Sequence, residues 1–174
     1  MNSATQEKLS QLARSALETC LGRLSAVTPG RWSVESARAL PPGTPFVPAA
    51  GQGAEAVVMG VSLPASFSTV LLFASGDAPL LAAAFSPAPP AAASEGETAL
   101  LEIGNITLNA LVNALLRSIR RSSIPSVPVR LPAVDLKPHP GCGAVIVTFS
   151  VELAGRTARA EIAAFLPPAL TAAF

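Results

Sequence analysis

Four polar side chains share one face of a helix predicted in the second half of the chain. Residues 101–116 read Leu-Glu-Ile-Gly-Asn-Ile-Thr-Leu-Asn-Ala-Leu-Val-Asn-Ala-Leu-Leu. At about 100° per residue, Glu102, Asn105, Asn109 and Asn113 form a single stripe. A carboxylate accepts hydrogen bonds and pairs with cations, whereas an amide both donates and accepts. The stripe is therefore a candidate for contact with a polar partner or for positioning a reacting group.

These polar residues reduce the stability of the helix that carries them. Asn is a poor helix former because its amide competes with the backbone, and Gly104 costs roughly 1 kcal/mol relative to Ala. A solvated helix face more often carries Lys, Arg and Glu, as the first predicted helix does. Ile103, Ile106 and Leu116 border the stripe. An apolar rim around polar groups favours a contact surface over a face exposed only to water.

The residues of this helix also resemble a known signature. Glu102-Ile103-Gly104-Asn105-Ile106, followed by small and polar residues and then by Ser126-Val127-Pro128, resembles the CheC/CheX family of chemotaxis phosphatases. The family signature is a helix bearing Glu-x-x-Asn with a Pro further along the chain, at the distance that separates Asn105 from Pro128. Thr98 lies where the family often has Asp or Ser. The first helix has Leu9 and Leu12 at the equivalent places, so the chain is CheX-like with a single site.

The resemblance implies a phosphatase that hydrolyses the aspartyl phosphate of a CheY-like response regulator. Such hydrolysis needs a water held in line and neutralisation of charge more than covalent catalysis. Asn105 would orient the water, because an amide does so without a change in protonation. Glu102 would pair with a Lys of the receiver domain. Mg²⁺ would belong to the receiver, so this chain would bind no cofactor or metal, and the remaining contacts to the partner would come from Thr98, Ile103, Ile106, Asn109, Asn113 and Pro128.

Two alternatives remain open at this point. The family usually has a small Gly-Asn pair four and five residues after the signature Asn, whereas this chain has Asn109 and Ala110. That departure favours a non-catalytic adaptor that binds a response regulator on the same fold. A structural domain whose polar stripe forms a homodimer seam is the other alternative, and the predicted edge strands are compatible with a homodimer.

Other functional classes find little support in the composition. The 12 Lys and Arg residues against 11 Asp and Glu leave a net charge of +1, which provides no electrostatic basis for binding nucleic acid or an anionic membrane. A metal site or a Ser–His–Asp triad would have to use His139, the single His, which lies in a Pro-rich turn. With Cys20 and Cys142 alone, no disulfide framework is expected, and a cytoplasmic location follows.

The longest uncharged run lies between Glu55 and Asp77. It is long enough to span a bilayer, but Pro64 and four Ser interrupt it. The run is therefore predicted to form a β-hairpin of strands Val57–Leu63 and Phe67–Phe73. The N-terminus has no charged region followed by an apolar one, so no signal peptide is expected.

The order helix, strand, hairpin occurs twice along the chain. Ser3 with Gln6 and Ser94 with Glu97 have capping-box spacing, which predicts where the two long helices begin. The predicted elements are a helix from Ser3 to Thr28, a strand at Arg31–Ala39 with Trp32 half-buried, the hairpin at Val57–Phe73, a short helix at Asp77–Phe85 with Asp77 as N-cap, a helix from Ser94 to about Arg121, an edge strand at Val127–Leu136, and a hairpin of Ala144–Leu153 and Thr157–Leu166.

This pattern predicts a single domain over residues 1–174, with halves at about 1–85 and 94–174 joined by a Pro/Ala linker at 86–93. Its fold class is α+β, with an antiparallel sheet of about six strands packed against two long helices. Within the second long helix, the residues predicted to face the core are Leu101, Gly104, Leu108, Leu111, Leu115 and Ile119.

Overall fold

The computed structural model describes residues 1–51, 53–62, 65–86, 93–133 and 141–174. Most of the predicted linker, Leu63, His139 and the end of the predicted strand Val127–Leu136 lie outside these residues. The elements are α1 (Ser3–Val27), β1 (Arg31–Leu40), β2 (Ala54–Val61), β3 (Phe67–Ala74), α2 (Ala78–Phe85), α3 (Ala93–Ser118), β4 (Val129–Pro132), β5 (Gly143–Leu153), β6 (Arg156–Leu166) and α4 (Pro168–Thr171).

The six strands form one antiparallel sheet in the order β1-β5-β6-β3-β2-β4. Exchanging β1 with β4, β2 with β5 and β3 with β6 gives the same order in reverse. Each half of the chain therefore supplies one edge strand and one hairpin, and β3 pairs with β6 at the centre. The α+β class and the doubled helix–strand–hairpin pattern are confirmed.

The capping-box spacing placed the N-cap of α1 one residue too late, whereas the helix itself begins at Ser3 as predicted. The N-cap is Asn2, whose Oδ1 accepts a hydrogen bond of 2.8 Å from the Thr5 backbone N–H. Asn is as effective an N-cap as Ser, so Ser3 becomes the first helical residue. The helix ends at Val27 with Thr28 as its C-cap, next to the predicted Thr28-Pro29-Gly30 stop, and its buried face consists of Leu9, Ala13, Leu17, Cys20, Leu21 and Leu24.

The ends of α3 also differ from the prediction. The helix begins at Ala93, so Ser94 lies in its first turn, where the Ser94 carbonyl accepts a hydrogen bond from the Thr98 hydroxyl. It ends at Ser118, because Arg120 adopts a left-handed φ of 56°. The Arg120 N–H then bonds to the Arg117 carbonyl and the Arg121 N–H to the Leu116 carbonyl, which is a Schellman motif.

Two further side chains differ from expectation. Trp32 is 4% exposed rather than half-buried, because its indole N–H donates to the Thr28 hydroxyl at 2.9 Å and its ring packs on Phe149. Asp77 stands at the N-cap of α2, but its side chain forms no capping bond. Its Oδ2 instead accepts a hydrogen bond from the Arg159 backbone N–H.

The main core lies between the helices and one face of the sheet. α1 packs on β1 and β5, whereas α3 packs on β2 and β3 and also contacts α1 and α2. The uncharged run before Asp77 forms β2 and β3, which confirms the predicted hairpin. By length and composition, Ser94–Ser118 of α3 is able to cross a membrane, but 56% of its most apolar window is buried inside this fold, as in core helices of soluble proteins.

A smaller apolar cluster covers the other face of the sheet, where Phe46 packs edge-on against Phe165. Glu161 of β6 is 2% exposed on this face. Its carboxylate accepts a hydrogen bond from the Ala49 N–H and pairs with Arg38, both at 3.5 Å. These long contacts do not offset desolvation, so burial raises the pKa of Glu161.

Gly104 sets the distance between α3 and the sheet. A Cβ added there would lie 2.5 Å from Cγ1 and 3.0 Å from Cβ of Val57 on β2. Both distances are too short for carbon atoms in contact. The helix therefore approaches β2 closely because residue 104 has no side chain.

Gly104→Ala is expected to lower the free energy of unfolding by about 1 kcal/mol or more, because overpacking against Val57 outweighs the gain of about 1 kcal/mol in helix propensity. Gly22→Ala is the matched control, since Gly22 lies in α1 with no atom near its added Cβ. It should be stabilising. Urea unfolding of both variants tests this, and equal stabilisation by the two would contradict the packing role of Gly104.

Glu161→Gln is expected to stabilise the protein at pH 7, on the order of 1 kcal/mol. Because the folded-state pKa of Glu161 is raised above its ordinary 4.5, the native state loses stability as pH rises through that raised value. The gain should disappear by about pH 3, where the carboxyl is protonated in both states. Urea unfolding at the two pH values measures it, with Glu152→Gln on the exposed side of β5 as control.

Candidate functional site

The polar stripe of α3 faces away from the sheet because Gly104 faces Val57. Glu102 and Asn113 are exposed, and Asn105 and Asn109 are partly exposed. None of these side chains is buried in the core. All are therefore accessible to a partner, which is the geometric condition that a catalytic role for Glu102 and Asn105 requires.

A pair of hydrogen bonds joins Asn105 to Asn109. The Asn109 Nδ2 donates to the Oδ1 and to the backbone carbonyl of Asn105, each at 2.8 Å. Within the described part of the chain, the Asn105 Oδ1 keeps a second lone pair and its Nδ2 keeps both hydrogens. The contact thus holds the Asn105 amide in one orientation while leaving it able to bind a ligand. Sequence reasoning assigned Asn109 to the partner surface and missed this contact, although spacing of i and i+4 on a helix is a signal for it.

The Glu102 carboxylate makes no hydrogen bond or ion pair with any residue that the structure describes. It lies on the exposed side of α3, one turn before Asn105. Its charge is therefore free to pair with a cation supplied by a partner.

Of the three apolar residues predicted to border the stripe, only Ile106 is partly exposed. Ile103 and Leu116 are 0% and 2% exposed, so the prediction that Ile103 contacts a partner is wrong. α3 packs on α1 and α2 as well as on the sheet, and this widens its buried arc beyond one row of residues. Ile106 remains partly exposed and available for contact.

The other predicted site residues lie at the edges of this surface. Thr98 is exposed, and its hydroxyl is bonded to the Ser94 carbonyl one turn earlier. Pro128 precedes β4, whose Val129 pairs with Val58 of β2. β4 is the edge strand next to β2, on which α3 packs, and no hydrogen bond joins Pro128 to the stripe within the described residues.

An open groove of about 1060 Å³ runs between α1 and α3 beside the stripe. Asn109 and Asn113 line it from α3. Its apolar lining includes Leu12 and Cys20 of α1, and burial raises the pKa of the Cys20 thiol, which disfavours a nucleophilic thiolate. Sequence reasoning missed this groove, because the packing distance between two helices is not encoded in either helix alone.

No group of three or more His, Cys, Asp or Glu side chains in the described part of the chain could hold a metal ion. His139 lies outside that part. The described residues of the stripe accordingly offer hydrogen bonds and one negative charge, and no metal cluster.

The sequence matches no family model, and no curated protein is similar to it in sequence. Solved structures, however, share the fold. FliM of Helicobacter pylori, in a complex with SpeE, has a TM-score of 0.68 at 9% identity, with 99% of this chain and 95% of that chain covered. FliY of Thermotoga maritima has a TM-score of 0.63 at 14% identity, over 99% and 94%. The chemotaxis protein CheX of Vibrio vulnificus has a TM-score of 0.58 at 15% identity, over 90% and 99%.

Proposed function

We propose that this protein is a CheX-like phosphatase that hydrolyses the aspartyl phosphate of a CheY-like response regulator in the cytoplasm. The observation that carries the proposal is the placement of Glu102 and Asn105 one turn apart on an accessible face of α3. The Glu-x-x-Asn resemblance and the fold shared with CheX support it. Two free cysteines are consistent with a reducing compartment.

In the proposed mechanism, Glu102 pairs with a Lys of the receiver domain and fixes the docked geometry. The free lone pair of the Asn105 Oδ1 then accepts a hydrogen bond from a water and orients its oxygen toward phosphorus. That water attacks in line, the bond between phosphorus and the aspartyl oxygen breaks, and inorganic phosphate leaves. Mg²⁺ would be held by the receiver and would neutralise the phosphoryl charge there, so this chain would supply positioning alone.

Asn109 has a role in this mechanism beyond its predicted contact with the partner. Its hydrogen bond restrains rotation of the Asn105 amide. The entropic cost of fixing that amide in the transition state is therefore lower. Ile106, Asn113, Thr98 and Pro128 remain proposed contacts to the receiver.

The second candidate function is a non-catalytic adaptor that binds the response regulator. Two observations favour it. The TM-scores with H. pylori FliM and T. maritima FliY exceed that with V. vulnificus CheX, and the H. pylori FliM structures include complexes with SpeE and with FliG. In addition, Asn109 donates to the Asn105 Oδ1 and so occupies one of its two acceptor positions. An adaptor would bind the activated receiver without accelerating loss of its phosphoryl group.

Asn105→Ala is expected to slow dephosphorylation of a phosphorylated CheY-like receiver by roughly 10²-fold or more, because the attacking water loses its orienting group. The decay of phosphorylated receiver is followed with each variant present. Gln11→Ala, which removes an amide from the exposed face of α1, is the control and should keep full activity. Undiminished activity of Asn105→Ala would rule out the mechanism, and an inactive wild type that binds the receiver would assign the adaptor function.

Glu102→Ala is expected to weaken binding of a beryllofluoride-activated receiver by about 10-fold or more, which is roughly 1.4 kcal/mol, because a charge pair at the interface loses one partner. Calorimetric titration measures the affinity. Glu102→Gln separates the loss of charge from the loss of contact area, and Glu7→Ala on α1 serves as the control. Unchanged affinity in both Glu102 variants would remove Glu102 from the interface.

A further inference from the structure

The groove between α1 and α3 is long enough to accommodate a helix of about four turns. Its lining on α1 extends from Leu12 to Val27, which is roughly 22 Å at a rise of about 1.5 Å per residue. Val27 at the end of α1 is 79% exposed and extends the apolar surface. A helix of about 15 residues matches this length.

The walls of the groove permit the close approach of another helix. Small side chains line it from both sides: Ser15, Ala16 and Thr19 on α1, and Ala110, Ala114 and Ser118 on α3. Such residues allow helix axes to pack at about 8–10 Å. The backbone N–H and C=O groups of both walls form hydrogen bonds within their own helices. They are therefore not available to pair with the backbone of an extended peptide. A helical ligand forms its backbone hydrogen bonds internally, so it can bind the groove through side-chain contacts alone.

The charge of the groove indicates the chemistry of its ligand. Among the described residues that line it, the charged ones are Arg23 and Arg117, both exposed. Neither forms an ion pair or a hydrogen bond within the described part of the chain. Acidic side chains flanking the apolar stripe of a ligand helix would pair with them. If a second copy of this chain docked groove to groove, its own Arg23 and Arg117 would face the same two arginines, and the like charges would repel.

We propose that the α1–α3 groove binds an acidic amphipathic helix of a partner protein. The proposal goes beyond the phosphatase function. Asn109 and Asn113 line the groove as well as the stripe, but Arg23, Ala114 and Arg117, which the test changes, are not among the proposed receiver contacts. The apolar stripe of the ligand would lie against Ala110 and Ala114, and its acidic flanks would contact Arg23 and Arg117.

The test uses a displayed library of amphipathic helical peptides of about 15 residues, with Leu and Ala on one face and Glu, Lys or Gln at random on its flanks. Selection on the full chain should enrich Glu. An enriched peptide should bind at least 10-fold more weakly to Ala114→Trp, which fills the groove, as measured by fluorescence anisotropy. The double variant Arg23→Glu, Arg117→Glu should reverse the preference from Glu to Lys.

Arg156→Glu, at the exposed first residue of β6, is the control and should leave binding unchanged. The charge-reversal variant alters only exposed residues, so it remains informative if Ala114→Trp fails to fold. Three results would overturn the proposal: no enrichment of any peptide, enrichment without preference for Glu, or binding that survives both variants. A dimer in solution that Ala114→Trp dissociates would assign the groove to a second copy and would also overturn it.

Discussion

The close approach of α3 to β2 at Gly104 is the contact on which the candidate site depends. The contact of Gly104 with Val57 fixes the rotational orientation of α3 about its own axis. The stripe of Glu102 and Asn105 therefore faces outward. A side chain at residue 104 would lift or turn the helix and displace the stripe. The same Gly that weakens α3 as an isolated helix therefore positions its polar face in the folded protein.

The sheet places α3 beside α1 because the two halves share their central strands. β3 of the first half pairs with β6 of the second, so α1 lies over β1 and β5 and α3 lies over β2 and β3, side by side on one face of a common sheet. The halves differ in what their helices present to the exterior. α1 contributes a charged face and one wall of the groove, whereas α3 contributes the amide stripe and the other wall. Pairing of similar halves thus produces a site and a groove that are not symmetric.

The polar residues of α3 have a physical use that compensates for their poor helix propensity. Asn105 and Asn109 bond to each other along the helix, which satisfies part of their hydrogen-bonding capacity and reduces their freedom. An oriented amide can position a water or a phosphoryl oxygen without any change in charge. The arrangement suits the proposed hydrolysis, and it equally suits recognition by an adaptor, so activity and binding must be measured separately.

The local pattern of the sequence was sufficient to predict most of the elements and the accessible stripe, because periodicity and turn residues act over a few residues. Gly30 after Thr28, for example, marks the end of α1. Residues whose environment depends on distant segments were predicted wrongly or not at all. Ile103 is buried because α1 and α2 pack beside α3, and Glu161 is buried because the segment around Ala49 covers it. The sequence alone determined the doubled pattern and the face that carries Glu102 and Asn105. Only the tertiary structure decided the burial of Ile103, the contact of Gly104 with Val57 and the groove beside Arg23, since each requires segments far apart in sequence to pack together.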